Sequence, residues 1–424
     1  MPPTRPLRSF QVLLHHPVIE PLLAACGETE CHLVGGALRD RALGLPIKDI
    51  DVVVAGRGRE IAQAVAAALP GFFVALGGKE FAAFRVVAEG FELDLWDRAG
   101  TTLYQDLERR DFTVNSIAVD ARTGEITDPF GGLGDLVHRI VRATTPASFT
   151  GDPLRVLRLP RMLLRLPGFA AEPETVRLAR ECSSRLVEVA AERVREELSA
   201  VFSHAEAHRG LALLIALDLY PGLWLGAPGE PGPSGSALRE LEALPGCVLE
   251  LRQLDAAAAD GVRGLPARFS ALFRNLPDPG GALARFRDAG YLLRKAADEV
   301  AVLLSWEALP NTDLGQRRFL HRSGNLWGTA ACALGARAAA RGELDVWRSA
   351  LPSLAELVRG EGAVLFDPPR LVNGAEVQEL LGLPPGPGVG QALAAVLAAQ
   401  VEGRIRTREE AVELVRSLRM PPPA

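Results

Sequence analysis

The stretch Leu33-Val34-Gly35-Gly36-Ala37-Leu38-Arg39-Asp40, followed by Lys48-Asp49-Ile50-Asp51-Val52-Val53-Val54, decides how this chain is read. A short apolar run ends in a glycine pair, a helical pattern follows, and two carboxylates then arrive at i and i+2 on a β-branched segment. A strand has period two, so Asp49 and Asp51 face the same side. Neighbouring carboxylates repel one another unless a cation lies between them. Hard divalent cations such as Mg²⁺ take oxygen ligands, often protein carboxylates together with substrate phosphates. A glycine pair lets backbone N–H groups come close to anionic oxygens. Together these parts point to metal-assisted chemistry on a nucleoside triphosphate. Neither half is specific alone, since Asp-x-Asp is common at solvated strand ends and Gly-Gly at turns.

Around this stretch the chain alternates short strands and helices. Val52–Val54, Phe72–Leu76, Ala83–Val87, Phe91–Leu95 and Asn115–Val119 read as strands by β-branched content and alternation, and Glu60–Leu69 as a helix. The expectation is a small mixed sheet backed by helices. After Asp152 the strand signals largely stop, and apolar residues at helical spacing predict helices over Pro153–Leu166 and Glu174–Phe202. Gly226–Gly235 is low in complexity and reads as an exposed loop between helical subdomains. The fold class is therefore α+β, a small sheet-containing head followed by an all-helical neck, body and tail.

The 424 residues are enough for a sizeable core, and 48% apolar with only 6% aromatic residues suits a soluble, helix-rich protein. The net charge of −5 excludes a global basic field, so RNA binding needs a local patch. Lysine occurs only at Lys48, Lys79 and Lys295, an arginine bias that codon usage explains. Cys26, Cys31, Cys182, Cys247 and Cys332 form no Cys-x-x-Cys pair, and an odd, scattered set argues for a reducing cytoplasm. Cys26, Cys31 and His32 lack a second half-site, so packing is their expected role. No apolar run approaches the length of a membrane span.

The glycine pair and Asp49-Ile50-Asp51 resemble the first motif of the DNA polymerase beta-type nucleotidyltransferase superfamily, in the form used by class II tRNA nucleotidyltransferases and bacterial poly(A) polymerases. Further motifs of that family follow in order. Asp106-Leu107-Glu108-Arg109-Arg110-Asp111-Phe112-Thr113-Val114-Asn115 resembles its ribose-reading motif, and Asp128-Pro129-Phe130-Gly131-Gly132-Leu133-Gly134-Asp135 its head–neck hinge. Asp152-Pro153-Leu154-Arg155-Val156-Leu157-Arg158 resembles its base-reading motif, and Glu192-Arg193-Val194-Arg195-Glu196-Glu197 the neck motif that steadies it. The C-terminal segments Leu371–Glu376, Leu383–Gly390 and Gly403–Glu410 resemble the tail of bacterial class II enzymes. No His-Asp dipeptide occurs, so no HD phosphohydrolase domain is expected.

The resemblance implies a head over 1–145, a neck over 146–225, and a body and tail over 236–424 that bind tRNA. It implies transfer of a nucleotide to an RNA 3′-hydroxyl with release of pyrophosphate, by two-metal catalysis with Mg²⁺. Asp49, Asp51 and, from Phe91-Glu92-Leu93-Asp94-Leu95, Asp94 are the candidate catalytic metal ligands; Glu92 faces the same side, but Asp94 matches the family position better. Gly35 and Gly36 are candidates for the triphosphate, with Arg39 and Asp40 anchoring the turn or forming a surface ion pair. Arg110 and Asp111 suit ribose hydroxyls, with Asn115 orienting the loop or the nucleotide. Asp152 and Arg155 would pair with the base edges of cytosine and adenine, and Arg158, Arg161 and Arg165 continue that face as a phosphate-contacting stripe. The plain alternative is that Asp152 caps a helix with Pro153 at its first position. Two departures stand out: Gly151 where the family carries Glu, and Ser116 where it carries Ala.

Complete CCA-adding members carry a flexible loop between the third-carboxylate strand and the Arg-Arg-Asp motif, which switches the pocket from CTP to ATP. Here residues 95–108 look truncated, as in CC-adding members. The expectation is addition of two cytidines to tRNA, with the terminal A left to a separate A-adding enzyme. A complete CCA-adding enzyme using CTP and ATP is the alternative, ahead of a poly(A) polymerase or an inactive RNA-binding relative.

Overall fold

A computed structural model describes residues 10–47, 49–76, 82–88, 90–98, 100–217, 223 and 235–418. The chain forms two compact units, Met1–Glu197 with Ala216–Gly222, and Leu198–Ile215 with Leu223–Ala424.

The first unit carries the carboxylate strand. After helix α1 (Ile19–Cys26), β1 (Cys31–Val34) is buried along its whole length and turns at Gly35 into α2 (Gly36–Ala42). β2 (Asp49–Val54) is followed by α3 (Gly58–Ala68), β3 (Phe72–Leu76), β4 (Ala82–Ala88), β5 (Phe91–Asp97) and α4 (Leu103–Glu108). β6 (Ala118–Asp120) and β7 (Ile126–Thr127) complete a sheet of order β3-β4-β5-β2-β1-β6-β7. β2 and β5 run parallel and every other neighbouring pair is antiparallel, so the sheet is mixed as expected. Ile50, Val52 and Val54 fill one face of β2 and are buried. The opposite face begins with Asp49 and Asp51 and ends at Val53, which packs with Val34, Leu107 and Ala118 beneath Leu103 and Phe130. The apolar cover supplied by α4 thus gives way to carboxylates along a single strand.

The unit continues through α5 (Gly132–His138), β8 (Ile140–Val141), α6 (Ser148–Gly151), α7 (Arg155–Arg165), β9 (Ala170–Ala171), α8 (Pro173–Cys182) and into α9 (Ala191–Ser203). Three expected boundaries move. Thr113–Asn115 is a 3₁₀ turn and the strand begins only at Ala118, because Asn115 turns inward to hydrogen-bond Asp111. The helix expected from Pro153 starts at Arg155, after a turn in which the Leu154 N–H donates to Asp152 Oδ1 at 3.2 Å. Glu174–Phe202 is two helices separated by a 3₁₀ segment, Ser183–Glu188, a break that apolar periodicity does not register.

The described part of the second unit is helical, with a core around α17 (Trp327–Arg341), counting α10 (Ala207–Ala216), α11 (Gly235–Leu254), α12 (Ala256–Asp260), α13 (Gly264–Arg274), α14 (Pro279–Asp288), α15 (Arg294–Leu304) and α16 (Asp313–Ser323) before it. α18 (Leu344–Phe366) packs closely on α17: a Cβ on Gly335 would stand 2.5 Å from the Trp347 ring, whose N–H donates to the Ala331 carbonyl at 2.8 Å. The C-terminal segments that resemble the family tail are helix starts. Asn373 with Glu376, and Thr407 with Glu410, form capping boxes opening α19 (Gly374–Leu381) and, beyond α20 (Pro387–Val401), α21 (Arg408–Ser417). The expected loop at Gly226–Gly235 lies outside the described residues except for Gly235, which begins α11. Among the described residues no helix is long and apolar enough to cross a membrane.

Candidate active site

Strand register builds the acidic face. β2 beside β5 sets Asp49 opposite Glu92 and Asp51 opposite Asp94, and β4 sets Arg85 opposite Asp94. Arg85 forks onto Asp94, Nε to Oδ1 and the terminal nitrogen to Oδ2, each at 2.7 Å. Its other terminal nitrogen reaches Glu92 at 2.9 Å. Asp94 is only 8% exposed, so this two-point bond neutralises a carboxylate that would otherwise be costly to bury.

Asp51 has a different environment. Burial pushes its carboxyl up to about 6, opposed by Arg110, reinforced by Asp49 and Asp94, and opposed again by the Gly36 N–H donating to it. The face therefore concentrates negative charge that a hard cation would relieve, and Asp49 and Asp51 fit a divalent metal as oxygen donors. Among the described residues no three acidic, His or Cys side chains are gathered as a ready metal group, which agrees with Asp94 being held by Arg85.

Gly35 stands against this face with φ of 72°, in the region that favours glycine, and a Cβ there would lie 2.8 Å from Asp51 Oδ2 and 3.1 Å from an Arg110 nitrogen. Both backbone conformation and close approach exclude a side chain. Arg110 is itself held from below by Asp106, whose Oδ2 accepts at 2.9 and 3.2 Å, while Asp106 Oδ1 accepts from Arg109 at 2.8 Å.

Arg39 is 3% exposed, and the open question of an anchor or a surface pair resolves as a buried network. Its Nε donates to Asp40 Oδ1 at 2.9 Å, a second nitrogen donates to Asn115, and Arg165 reaches Asp40 Oδ2. Asn115 passes the connection on to Asp111 Oδ1 at 2.9 Å, and Arg158 meets Asp111 Oδ2 at 3.0 Å. Burial raises Asp111, but Arg158, Asn115 and the Phe112 N–H together bring it below the usual carboxylate value. Arg161 pairs with Glu197 at 2.9 Å, so each arginine of the expected phosphate stripe is engaged by a carboxylate of this unit.

Asp152 and Arg155 have separate partners. Asp152 Oδ2 accepts from Arg193 at 2.8 Å, whereas Arg155 turns to backbone carbonyls, reaching Ser148 at 3.0 Å, Arg110 at 3.4 Å, and Arg109. Asp152 is not the N-cap of α7, whose flanking residue Leu154 makes no side-chain cap. Gly151 has open space where a Cβ would go. All five cysteines are buried and free, which accords with packing for Cys26 and Cys31.

Asp49, Asp51, Asp94, Gly35, Gly36 and Arg110 are thus brought together, with Arg39, Asp111, Asn115 and Arg158 as an adjoining buried network. Sequence reasoning missed Arg85 and the anchoring part of Asp106. The i, i+4 spacing of Asp106 and Arg110 on a helix was a usable signal for the second; the first depends on hairpin register.

A mixed sheet presenting this acidic face beside a glycine turn defines a nucleotidyltransferase head. Residues 31–142 match the family described as the poly A polymerase head domain, and residues 168–225 match a probable RNA and SrmB-binding site of polymerase A. The chain is 32% identical over 416 residues to a CC-adding tRNA nucleotidyltransferase of Geobacter sulfurreducens, covering 92% of each protein. It is likewise 32% identical over 427 residues to an A-adding tRNA nucleotidyltransferase of Deinococcus radiodurans, covering 89% of this chain and 93% of the other. A solved CCA-adding enzyme with ATP has the same fold, with a TM-score of 0.69 and 23% identity over 96% of this chain and 97% of that one. The chain belongs to the class II tRNA nucleotidyltransferase and bacterial poly(A) polymerase family, and it is an enzyme of the nucleotidyltransferase type.

Proposed function

We propose that this enzyme adds two cytidines to the 3′ end of tRNA, taking CMP from CTP and releasing pyrophosphate, and that a separate enzyme adds the terminal A. The observation that carries this reading is the tether between β5 and α4. β5 ends at Asp97 and α4 starts at Leu103, leaving residues 98–102 between them. Arg98 pairs with Glu30 and donates to the Thr101 carbonyl, and Thr102 caps α4 in a capping box with Gln105. A connection of five residues is too short to supply the movable loop that would convert a CTP pocket into an ATP pocket. The Geobacter relative supports cytidine addition; the equally similar Deinococcus relative favours a second reading, addition of A alone.

In this reading Asp49, Asp51 and Asp94 hold Mg²⁺. The cation, when bound, makes the RNA 3′-hydroxyl a better nucleophile and offsets charge on the departing pyrophosphate. Gly35 and Gly36 border the triphosphate, admitting it closely because neither carries a side chain. Arg110, fixed by Asp106, serves the ribose together with Asp111, and Asn115 holds Asp111 in place. Asp152 accepts from and Arg155 donates to the base edge, with Arg193 aiming Asp152. Residues 236–424 bind the tRNA, and the buried free cysteines support a cytoplasmic setting.

The test is pyrophosphate release from CTP by purified protein, with and without a tRNA lacking its 3′ CCA. Release that requires both the RNA and Mg²⁺, and that falls at least about 100-fold in a folded Asp51→Ala variant, supports the reading. RNA binding without turnover overturns it.

A further inference from the structure

The acidic face already contains a cation of its own. Arg85, Asp94 and Asp51 form one row across β4, β5 and β2, and Val87, Glu92 and Asp49 form the next. Asp94 on the first row and Glu92 on the second are both met by the Arg85 guanidinium. Arg85 commits both oxygens of Asp94, at 2.7 Å each, while its third nitrogen rests on Glu92 at 2.9 Å. The Asp94 side chain is 11% exposed, those of Arg85 and Glu92 35% and 43%. The arginine therefore has room to swing outward and stay on Glu92 while Asp94 remains in place. A divalent ion sharing Asp94 with Asp51 would meet this guanidinium at close range, and like charges there repel strongly.

We propose that Arg85 is a positioning residue that occupies Asp94 as a built-in counter-ion, yields it when a divalent cation binds, and so sets the metal affinity of the face. Glu92 is the holding point for Arg85 in the metal-bound state. The proposal rests on the metal reading of Asp49 and Asp51 given above. It makes Asp94 a conditional ligand, available to metal only at the cost of a two-point ionic bond, whereas Asp49 and Asp51 are available from the start.

The experiment is a Mn²⁺ titration of the full chain without nucleotide, following free Mn²⁺ by electron paramagnetic resonance. Arg85→Gln should bind Mn²⁺ about tenfold more tightly than the unaltered protein, because the competing cation is gone. Arg85→Lys, which keeps the charge but cannot fork, should fall between, and it carries the test if Arg85→Gln does not fold. The gain should vanish when Arg85→Gln is combined with Asp94→Asn. A purely structural arginine would not produce that dependence. Affinity unchanged or weakened in Arg85→Lys and Arg85→Gln, with Asp51→Asn still abolishing binding, overturns the proposal and leaves the metal reading standing. Mn²⁺ binding that survives both Asp49→Asn and Asp51→Asn overturns the metal reading and this proposal with it.

Discussion

Arg193 lies 2.8 Å from the carboxylate of Asp152, 41 residues earlier in the chain. The pair joins the two segments that resemble the family's base-reading and neck motifs. Because both side chains are partly exposed, the bond contributes little to stability, about 0–1 kcal/mol. Its effect should lie in aim. Arg193→Ala should leave the melting temperature nearly unchanged and weaken discrimination of CTP against UTP by on the order of tenfold, as Asp152→Ala should also do. Steady-state kcat/KM ratios for CTP and UTP decide it; unchanged ratios in both variants would leave Asp152 as a turn residue only.

Gly35→Ala should be damaging on two counts. The backbone at φ of 72° costs an alanine about 1–3 kcal/mol, and the new methyl would fall 2.8 Å from Asp51 Oδ2. Urea denaturation should report the loss of stability, and transfer should drop at least about 100-fold by displacement of Asp51. Gly151→Glu is the contrasting case, since no atom lies within 4 Å of a Cβ at that position. It should fold with stability within about 0.5 kcal/mol of the parent, measured by the same denaturation.

Asp111 should govern part of the acid response. Its folded-state pKa is depressed, the pull of Arg158, Asn115 and the Phe112 N–H outweighing burial. The stabilisation is therefore fully present above the unfolded value, ~3.9, and is lost as pH falls through the folded value. Urea melts at a series of pH values from neutral into that range should show a steep acid limb in the parent and a flatter one, from a lower starting stability, in Asp111→Asn. Equal slopes would remove Asp111 from the acid limb.

What the sequence made legible was local. Two acids at i and i+2 on a β-branched run must share a face. The relations that remained hidden are long-range or depend on register. Arg85 meets Asp94 only because the β4–β5 hairpin pairs those two residues, and a slip of one residue would have put them on opposite faces. Arg165 reaches Asp40 from 125 residues away, so it read as a free member of a basic stripe when it is in fact a partner of a buried acid. The break at Ser183–Glu188 was hidden because its apolar spacing continues that of the flanking helices.

The most direct test of the central claim is product length. Purified protein would be given a tRNA ending at the discriminator base, Mg²⁺, and labelled CTP and ATP, singly and together, with products resolved to one nucleotide. Two added C residues and no A after prolonged incubation is the predicted result. A product carrying CCA, or no addition of C to this tRNA, would contradict it.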